Sequence, residues 1–326
     1  RWVWLYMFNQ LMYHKKVLII AYLKSLVKPT IALKVEIPSI SVNKVLAENT
    51  TLDVLIPTLG RDAYLKDVLI DLSKQTLLPK KIIIVEQQPV KGSSSTLDFL
   101  KDSWPFEIDH TLIYQLGACN ARNIALSKVK SKWVFFADDD VRMKPDFLEK
   151  TFHYIQAYNA KAVTLSCLRE GEVEKLDKVI QWNNFGSGCS VVRSNYLKKL
   201  EFDMALEFGY GEDFDFGMQL RKKGVDVLHI PFVKMLHLKA PIGGFRKKIK
   251  KEWETDEIQP KPSPTIMVTK LKHCTKEQLK GYKTNLFIKY YKSQTIKNPI
   301  KYYKYMKNAW GRSIFWAKDL IQKNEV

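Results

Sequence analysis

Long apolar runs are missing from this 326-residue chain, and with them any segment able to cross a bilayer as a helix. The longest near the start, Val17 to Leu23, falls well below the roughly 20 residues such a helix needs. The aromatic opening Trp2-Val3-Trp4-Leu5-Tyr6-Met7-Phe8 runs into Asn9, Gln10, His14, Lys15 and Lys16, which are costly in lipid. It has neither the basic start nor the small-residue cleavage site of a secretory signal. The chain opens on Arg1 rather than methionine, which leaves room for sequence upstream. Cysteine is scarce too: Cys119, Cys167, Cys189 and Cys274 form no CxxC and no Cys/His pair with zinc spacing. That excludes a disulfide framework and a structural zinc site, and a reducing cytoplasm is the expected compartment. No GxGxxG follows the first strand-like run, where Pro57-Thr58-Leu59-Gly60-Arg61 holds a single glycine, so a dehydrogenase is disfavoured.

Acidic residues are thin at both ends. Residues 270–326 hold 14 Lys/Arg against 3 Asp/Glu, and residues 1–49 hold 7 against 2. The net charge of +19 therefore belongs to the tails, and it implies an acidic partner, either nucleic acid or an anionic membrane surface. Hydrophobic residues at 46% and charged residues at 27% are ordinary for a globular protein with a core.

Between the tails the pattern alternates strand and helix, which argues for an α/β domain with a mostly parallel sheet flanked by helices. Strands are expected over 52–56, 81–85, 108–114, 160–167, 189–192, 225–230 and 233–236, and helices over 62–74, 94–102, 118–128 and 213–223. The expected organisation is an aromatic and basic helical segment over 1–50, a catalytic domain over 51–258, and a linker with a basic amphipathic helical region over 259–326.

Asp138-Asp139-Asp140 closes the apolar run Trp133-Val134-Phe135-Phe136-Ala137. In an extended chain residues i and i+2 project to one side, so Asp138 and Asp140 can aim two carboxylates at one point. Two like charges there call for a cation, and hard oxygen ligands suit Mg2+ or Mn2+. The alternative is an acidic turn capping a helix near Pro145.

The order of further pieces resembles the inverting family 2 glycosyltransferases of the GT-A fold. The pieces are Val54-Leu55-Ile56-Pro57-Thr58, Ile84-Val85-Glu86-Gln87, Ala121-Arg122-Asn123, Asp138-Asp139-Asp140, Gly211-Glu212-Asp213, and His237 followed by Gly243-Gly244-Phe245-Arg246. The resemblance covers residues 51–246 and leaves the tails outside. It implies a metal-dependent hexosyltransferase that moves a sugar from a nucleotide-sugar donor, most readily a UDP-sugar, to a saccharide or lipid-linked acceptor. Cell-surface polysaccharide or glycolipid synthesis is the setting such an acceptor suggests.

The resemblance also distributes roles. Asp140 takes the metal with Asp138 and His237, and an imidazole tilts selectivity toward Mn2+ over Mg2+. His229 is the rival histidine. Asp138 also lies on the ribose side, while Asp139 belongs to the donor-binding set but points into the sheet or a neighbouring hydrogen bond. Asp213 is the base that takes the acceptor proton, or else caps the helix that follows. Pro57, Thr58, Arg61, Glu86, Gln87, Arg122, Glu212 and Arg246 complete the donor site. Glu86 stands where relatives usually carry aspartate, so Gln87 is available to hydrogen-bond the base in its place.

In the C-terminal region Tyr303, Met306, Trp310, Ile314, Ala317 and Ile321 recur at helical spacing, with Lys301, Lys304, Arg312 and Lys323 off that stripe. Such a helix either lies on an anionic membrane surface or packs on the catalytic domain. Tyrosine and tryptophan beside lysine favour the membrane, giving a cytoplasmic protein peripheral to the inner face. Two other functions fit the sequence less well. A sugar nucleotidyltransferase needs a glycine-rich basic loop that is missing, and a basic nucleic-acid-binding protein leaves the aspartates and Gly211-Glu212-Asp213 unexplained.

Overall fold

The computed structural model describes residues 50–182, 184–240 and 250–324, and the chain divides into two compact units between Lys250 and Lys251. The expected N-terminal helical segment and the Gly243-Gly244-Phe245-Arg246 turn lie outside the described residues.

The first unit is built on one sheet. Four strands, β1 (Leu52–Thr58), β2 (Lys81–Gln87), β3 (Glu107–Ile113) and β4 (Trp133–Ala137), run parallel in the order β3-β2-β1-β4. Beyond β4 the sheet continues through β8 (Cys189–Arg193), β6 (Ala162–Leu168), β9 (Val227–His237) and β5 (Val141–Arg142), with the short β7 (Ile180–Gln181) also on β9. Here β8 is antiparallel to both neighbours, β6 and β9 are parallel, and β5 is antiparallel to β9.

The inner strands β1, β2 and β4 are mostly apolar because both of their faces are covered, as in buried parallel sheets, whereas the edge strand β3 is mixed and only half-buried. Period two sorts their residues between two cores. Val54, Ile56, Ile82, Ile84, Phe135 and Ala137 pack with helices α1 (Asp62–Ser73) and α3 (Phe147–Ala157). Leu55, Ile83, Val85, Val134 and Phe136 pack on the other side with α2 (Ala118–Ser127) and α4 (Glu212–Lys222). On that second face Phe136, Phe185, Phe202 and Phe216 form one aromatic cluster, with Phe202 stacked on Phe216 at 4.3 Å. It fixes the end of β4 against α4, and so the aspartates against the Glu212-Asp213 helix start.

Two expectations are corrected. Residues 94–102 do not form a helix; only a short 3-10 turn, Asp98–Lys101, survives, since Gly92 and three serines precede it and helix propensity there is low. The two late strands are one, β9, which carries Pro231 through a bulge: the register with β6 jumps from Leu165–Ile230 to Ser166–Lys234. A proline lacks the amide a ladder needs, and the bulge removes the requirement.

The second unit has three helices among the described residues, α5 (Pro264–His273), α6 (Lys276–Tyr291) and α7 (Pro299–Lys323). Thr275 and Gln278 form a capping box on α6, and Asn298 caps α7 ahead of Pro299. The buried stripe of α7 is Tyr302, Met306, Ala309, Trp310, Ser313 and Ala317. Tyr303 is exposed at the edge of the stripe, its ring 6.0 Å from that of Phe287, and Ile314 and Ile321 are only half-buried, so the stripe expected from sequence is rotated. Its apolar face is filled by contacts within this unit: the Tyr302 hydroxyl donates to the Phe287 carbonyl of α6 at 2.6 Å, and Lys261 N donates to Ala309 O at 3.0 Å. The expected linker over 259–264 is thereby part of the packing.

One buried carboxylate organises the approach to β4. Asp53 on β1, 1% exposed, accepts from Lys130 N (2.8 Å), Ser131 N (2.9 Å) and Ser131 Oγ (2.6 Å). Replacing Asp53 with alanine leaves three donors without their acceptor, a loss of about 3 kcal/mol in urea unfolding of the full chain.

Candidate active site

The three aspartates sit where β4 runs out, at the carboxyl ends of the parallel strands, the place where open α/β sheets bind ligands. Each takes a different partner set. Asp139 turns inward: Thr58 Oγ1 donates to its Oδ2 at 2.7 Å, and Arg61 Nη1 to its Oδ1 at 2.6 Å. Burial pushes its carboxyl up to about 6, against the opposing pull of Arg61 and Thr58. Asp140 is drawn to the far side of the sheet by pairing of β5 with β9, which sets Val141 opposite His237. Its Oδ2 accepts from Ala240 N at 2.9 Å and lies 3.2 Å from Arg61 Nη1, while Oδ1 faces His237 Nε2 at 3.3 Å. Burial raises its pKa, but His237, the Ala240 amide and Arg61 outweigh that and hold it below the ordinary value.

Asp138, Asp140 and His237 bring one ligand atom each within 4.8 Å of one another, the one such group found among the described residues. Two carboxylates and an imidazole are a donor set for Mn2+ or Mg2+. Neighbouring ligands of an octahedral ion, each about 2.1 Å from it, stand about 3 Å apart, close to the Asp140–His237 spacing. The residues fit such an ion. His229, the rival, is engaged elsewhere, with Nε2 3.1 Å from Glu174 Oε2 and its ring stacked on Trp182.

Asp138 faces α2. Arg122 Nη2 donates to its Oδ1 at 3.1 Å, and the guanidinium lies over the Phe202 ring at 5.5 Å. Arg122 is 7% exposed, and its Nε and Nη1 have no hydrogen-bond partner among the described residues. Burial disfavours its charge, yet Asp138, Asp213 and Glu212 overcome this and raise its pKa. On the facing helix, Asp213 accepts from Ser187 N at 3.2 Å through Oδ1, and its own carbonyl accepts from Phe185 N. Burial raises the Asp213 pKa, with Arg122 and Ser187 pulling the other way. Glu212 is pushed up to about 7, by burial first and then by Asp213 beside it.

A third group lies at the ends of β2 and β3. Glu86, 1% exposed, takes Gln88 Nε2 at 2.7 Å and His110 Nε2 at 2.9 Å. Gln87 Oε1 accepts from Gly117 N at 2.6 Å. Pro57 is inside β1, in register with Val85. The start of α2 is capped from outside by Glu207, whose carboxylate accepts from Cys119 N at 3.1 Å and Asn120 N at 2.8 Å. Gly117 makes this approach feasible: with φ at 145° and the Glu207 side chain against it, a Cβ would overlap that carboxylate.

The structure therefore gathers Thr58, Arg61, Arg122, Asp138, Asp139, Asp140, Glu212, Asp213 and His237 around one strand end, with Glu86 and Gln87 beside them; Arg246 lies outside the described residues. Sequence reasoning missed His110, Glu207 and the Gly186-Ser187-Gly188 turn. Only the last had a signal, its small residues just before a strand; His110 and Glu207 meet their partners through tertiary contacts alone.

The family model described as glycosyl transferase family 2 matches residues 53–223, more than half of the chain. The chain belongs to glycosyl transferase family 2. It is thus a glycosyltransferase of GT-A type. Among solved structures, S. aureus TarS 1-349 in complex with UDP-GlcNAc is similar at a TM-score of 0.55, with 15% identity over 82% of each chain. TarS gives 0.48 and 16% identity over 59% of this chain and 37% of that one. GalNAc-T7 with UDP, GalNAc and Mn2+ gives 0.47 and 14% identity, over 59% of this chain and 44% of that one. The likeness to these structures is one of fold. No curated protein matches the chain in sequence.

Two outcomes follow for this family 2 site. A Cβ at Gly188 would overlap the Asp138 carboxylate. Gly188→Ala is therefore expected to displace the Asp138 carboxylate from Asp140 and His237, and if the three hold Mn2+ its binding, read by calorimetry, falls by about tenfold or more. Glu212 in the folded protein binds its proton more tightly than in the unfolded chain, so its ionisation destabilises the fold as pH rises from about 4.5 to about 7. Glu212→Gln is accordingly more stable than the parent at pH 8 and equal to it at pH 4, in thermal unfolding at both values.

Proposed function

We propose that this glycosyltransferase moves a sugar with inversion from a UDP-sugar to a saccharide or lipid-linked acceptor, using Mn2+ or Mg2+. The observation that carries the reading is the juxtaposition of two groups across Arg122. On one side stand Asp138, Asp140 and His237, whose ligand atoms lie within 4.8 Å of one another. On the other stands Asp213, at the first turn of α4. A cation held by the first group would neutralise the diphosphate as it leaves.

Asp213 is suited to take the acceptor proton. Its raised pKa makes it a stronger base than an ordinary carboxylate, while the nearby Arg122 charge favours its ionised form. Arg122, with donors unfilled, stabilises negative charge on the donor side of the same space. Thr58 and Arg61 set Asp139 and hence the turn that presents Asp138 and Asp140. Glu86 and Gln87 at the end of β2 serve the nucleoside, with His110 holding the longer Glu86 side chain in one orientation. The UDP-sugar reading draws support from TarS, solved with UDP-GlcNAc, and the metal reading from the Asp138, Asp140 and His237 trio.

A peripheral membrane position and a lipid-linked acceptor in cell-surface polysaccharide or glycolipid synthesis are part of the same proposal. On α7 the exposed Ile300 and Phe315 project on the side away from the buried stripe, among Lys304, Lys307 and Lys318. That mixture suits the interface of an anionic bilayer. No helix among the described residues is long and apolar enough to cross a membrane.

Incubation with UDP-, GDP- and dTDP-sugars and Mn2+, scored for nucleotide release, tests the reaction. Asp140→Ala is expected to weaken metal-dependent donor binding. Asp213→Asn is expected to keep donor binding and lower transfer by about a hundredfold or more. Full transfer by Asp213→Asn would remove it as the base.

A further inference from the structure

At the pole of the sheet opposite the acidic cluster lies a second concavity, of about 600 Å3. Lys132 at its edge precedes β4 and Asp138 follows it, a separation of about 20 Å along an extended strand. The cavity lies between the turn after α2 and the segment after β8. Its floor is apolar, from Leu126, Val129, Leu197 and Leu200. Its rim carries Lys130, Lys132, Arg193, Lys198 and Lys199 against a single acid, Glu201.

None of those five cationic groups makes a hydrogen bond or ion pair among the described residues. Other basic side chains of this unit do: Lys128 reaches Asp109 at 2.6 Å, Lys81 reaches the Lys128 carbonyl at 3.0 Å, and Lys161 reaches Asn159 at 2.6 Å. The rim is also held in place from behind. Asp53 fixes the Lys130 and Ser131 amides, Ser194 Oγ donates to the Ser131 carbonyl at 2.5 Å, and Arg193 N donates to the Lys161 carbonyl at 2.9 Å. The Lys223 ammonium ties down the Lys198 carbonyl. Like charges converging on a concavity repel one another, and a multivalent anion relieves that repulsion.

We propose that this cavity binds the phosphate or diphosphate group of an ester whose remaining portion lies on the apolar floor, at a site separate from the donor site. The ester is either a soluble phosphate compound or a lipid headgroup. Charge-assisted contacts from three or more cations match the oxygens of such a group, and the floor accepts what those oxygens are attached to.

The test titrates the full chain with inorganic pyrophosphate by calorimetry, in EDTA with uridine in excess, so that metal-dependent binding at the donor site is silent. In parallel, phosphatidic-acid vesicles and phosphatidylcholine vesicles are sedimented with the protein. The parent is compared with Lys132→Glu/Arg193→Glu/Lys198→Glu and with the milder Lys132→Gln/Arg193→Gln/Lys198→Gln. The parent is expected to bind a phosphate probe, and affinity falls about tenfold or more on charge reversal and less on neutralisation. Thermal unfolding and donor-dependent nucleotide release stay at parental values, and if the reversal variant unfolds the neutral one decides. Loss of pyrophosphate binding assigns a soluble ester, and loss confined to phosphatidic-acid vesicles assigns a headgroup. A parent that binds neither probe overturns the proposal, as do variants that bind as the parent does, which would place vesicle binding on another surface. Failure of the transfer reaction leaves this outcome unaffected, since neither the calorimetric nor the vesicle measurement uses a sugar donor.

Discussion

A buried guanidinium holds the site together. Asp138, Glu212 and Asp213 converge from a strand end and a helix start, and burying three carboxylates side by side is unfavourable without a counter-charge. Arg122 supplies it from α2, with one hydrogen bond to Asp138 and two nitrogens without a partner among the described residues. The aromatic cluster of Phe136, Phe185, Phe202 and Phe216 then sets how closely the strand and helix approach. With Phe202 under the guanidinium, packing and charge are fixed by the same residue.

Much of this was legible in the amino-acid order, for physical reasons particular to each element. Strands buried on both faces must be apolar throughout, so β1, β2 and β4 stand out, and their carboxyl ends locate Thr58, Glu86 and Asp138 without further information. The metal trio needed one more inference, that His237 on a late strand returns beside Asp140. That return depends on a two-residue pairing between β5 and β9, too short to have a sequence pattern. Glu207, His110 and the Gly188 contact with Asp138 were invisible because each depends on side chains meeting across 20 residues or more of chain, and period and propensity report only on neighbours.

The misreadings are equally instructive. The α7 stripe was placed one residue off at its start because Tyr302 and Tyr303 are chemically alike, and only packing against α6 decides which is inside. The interruption of β9 at Pro231 looked like a strand end because proline cannot donate to a ladder. The sheet accommodates it with a shift of register, which no local rule reports.

Asp138 and Asp140 lie about a hundred residues from His237 in the chain, the first two after the parallel half of the sheet and the last on its mixed half. A cation held between them, as proposed, would be a cross-link as well as a catalyst's charge. It would join the end of β4 to the end of β9, and its free energy of binding would be added to that of folding. At a free-ion concentration a hundred times the dissociation constant this amounts to about 2.7 kcal/mol. On the proposed reading, the supply of divalent metal would govern how long the domain stays folded as well as how fast it turns over.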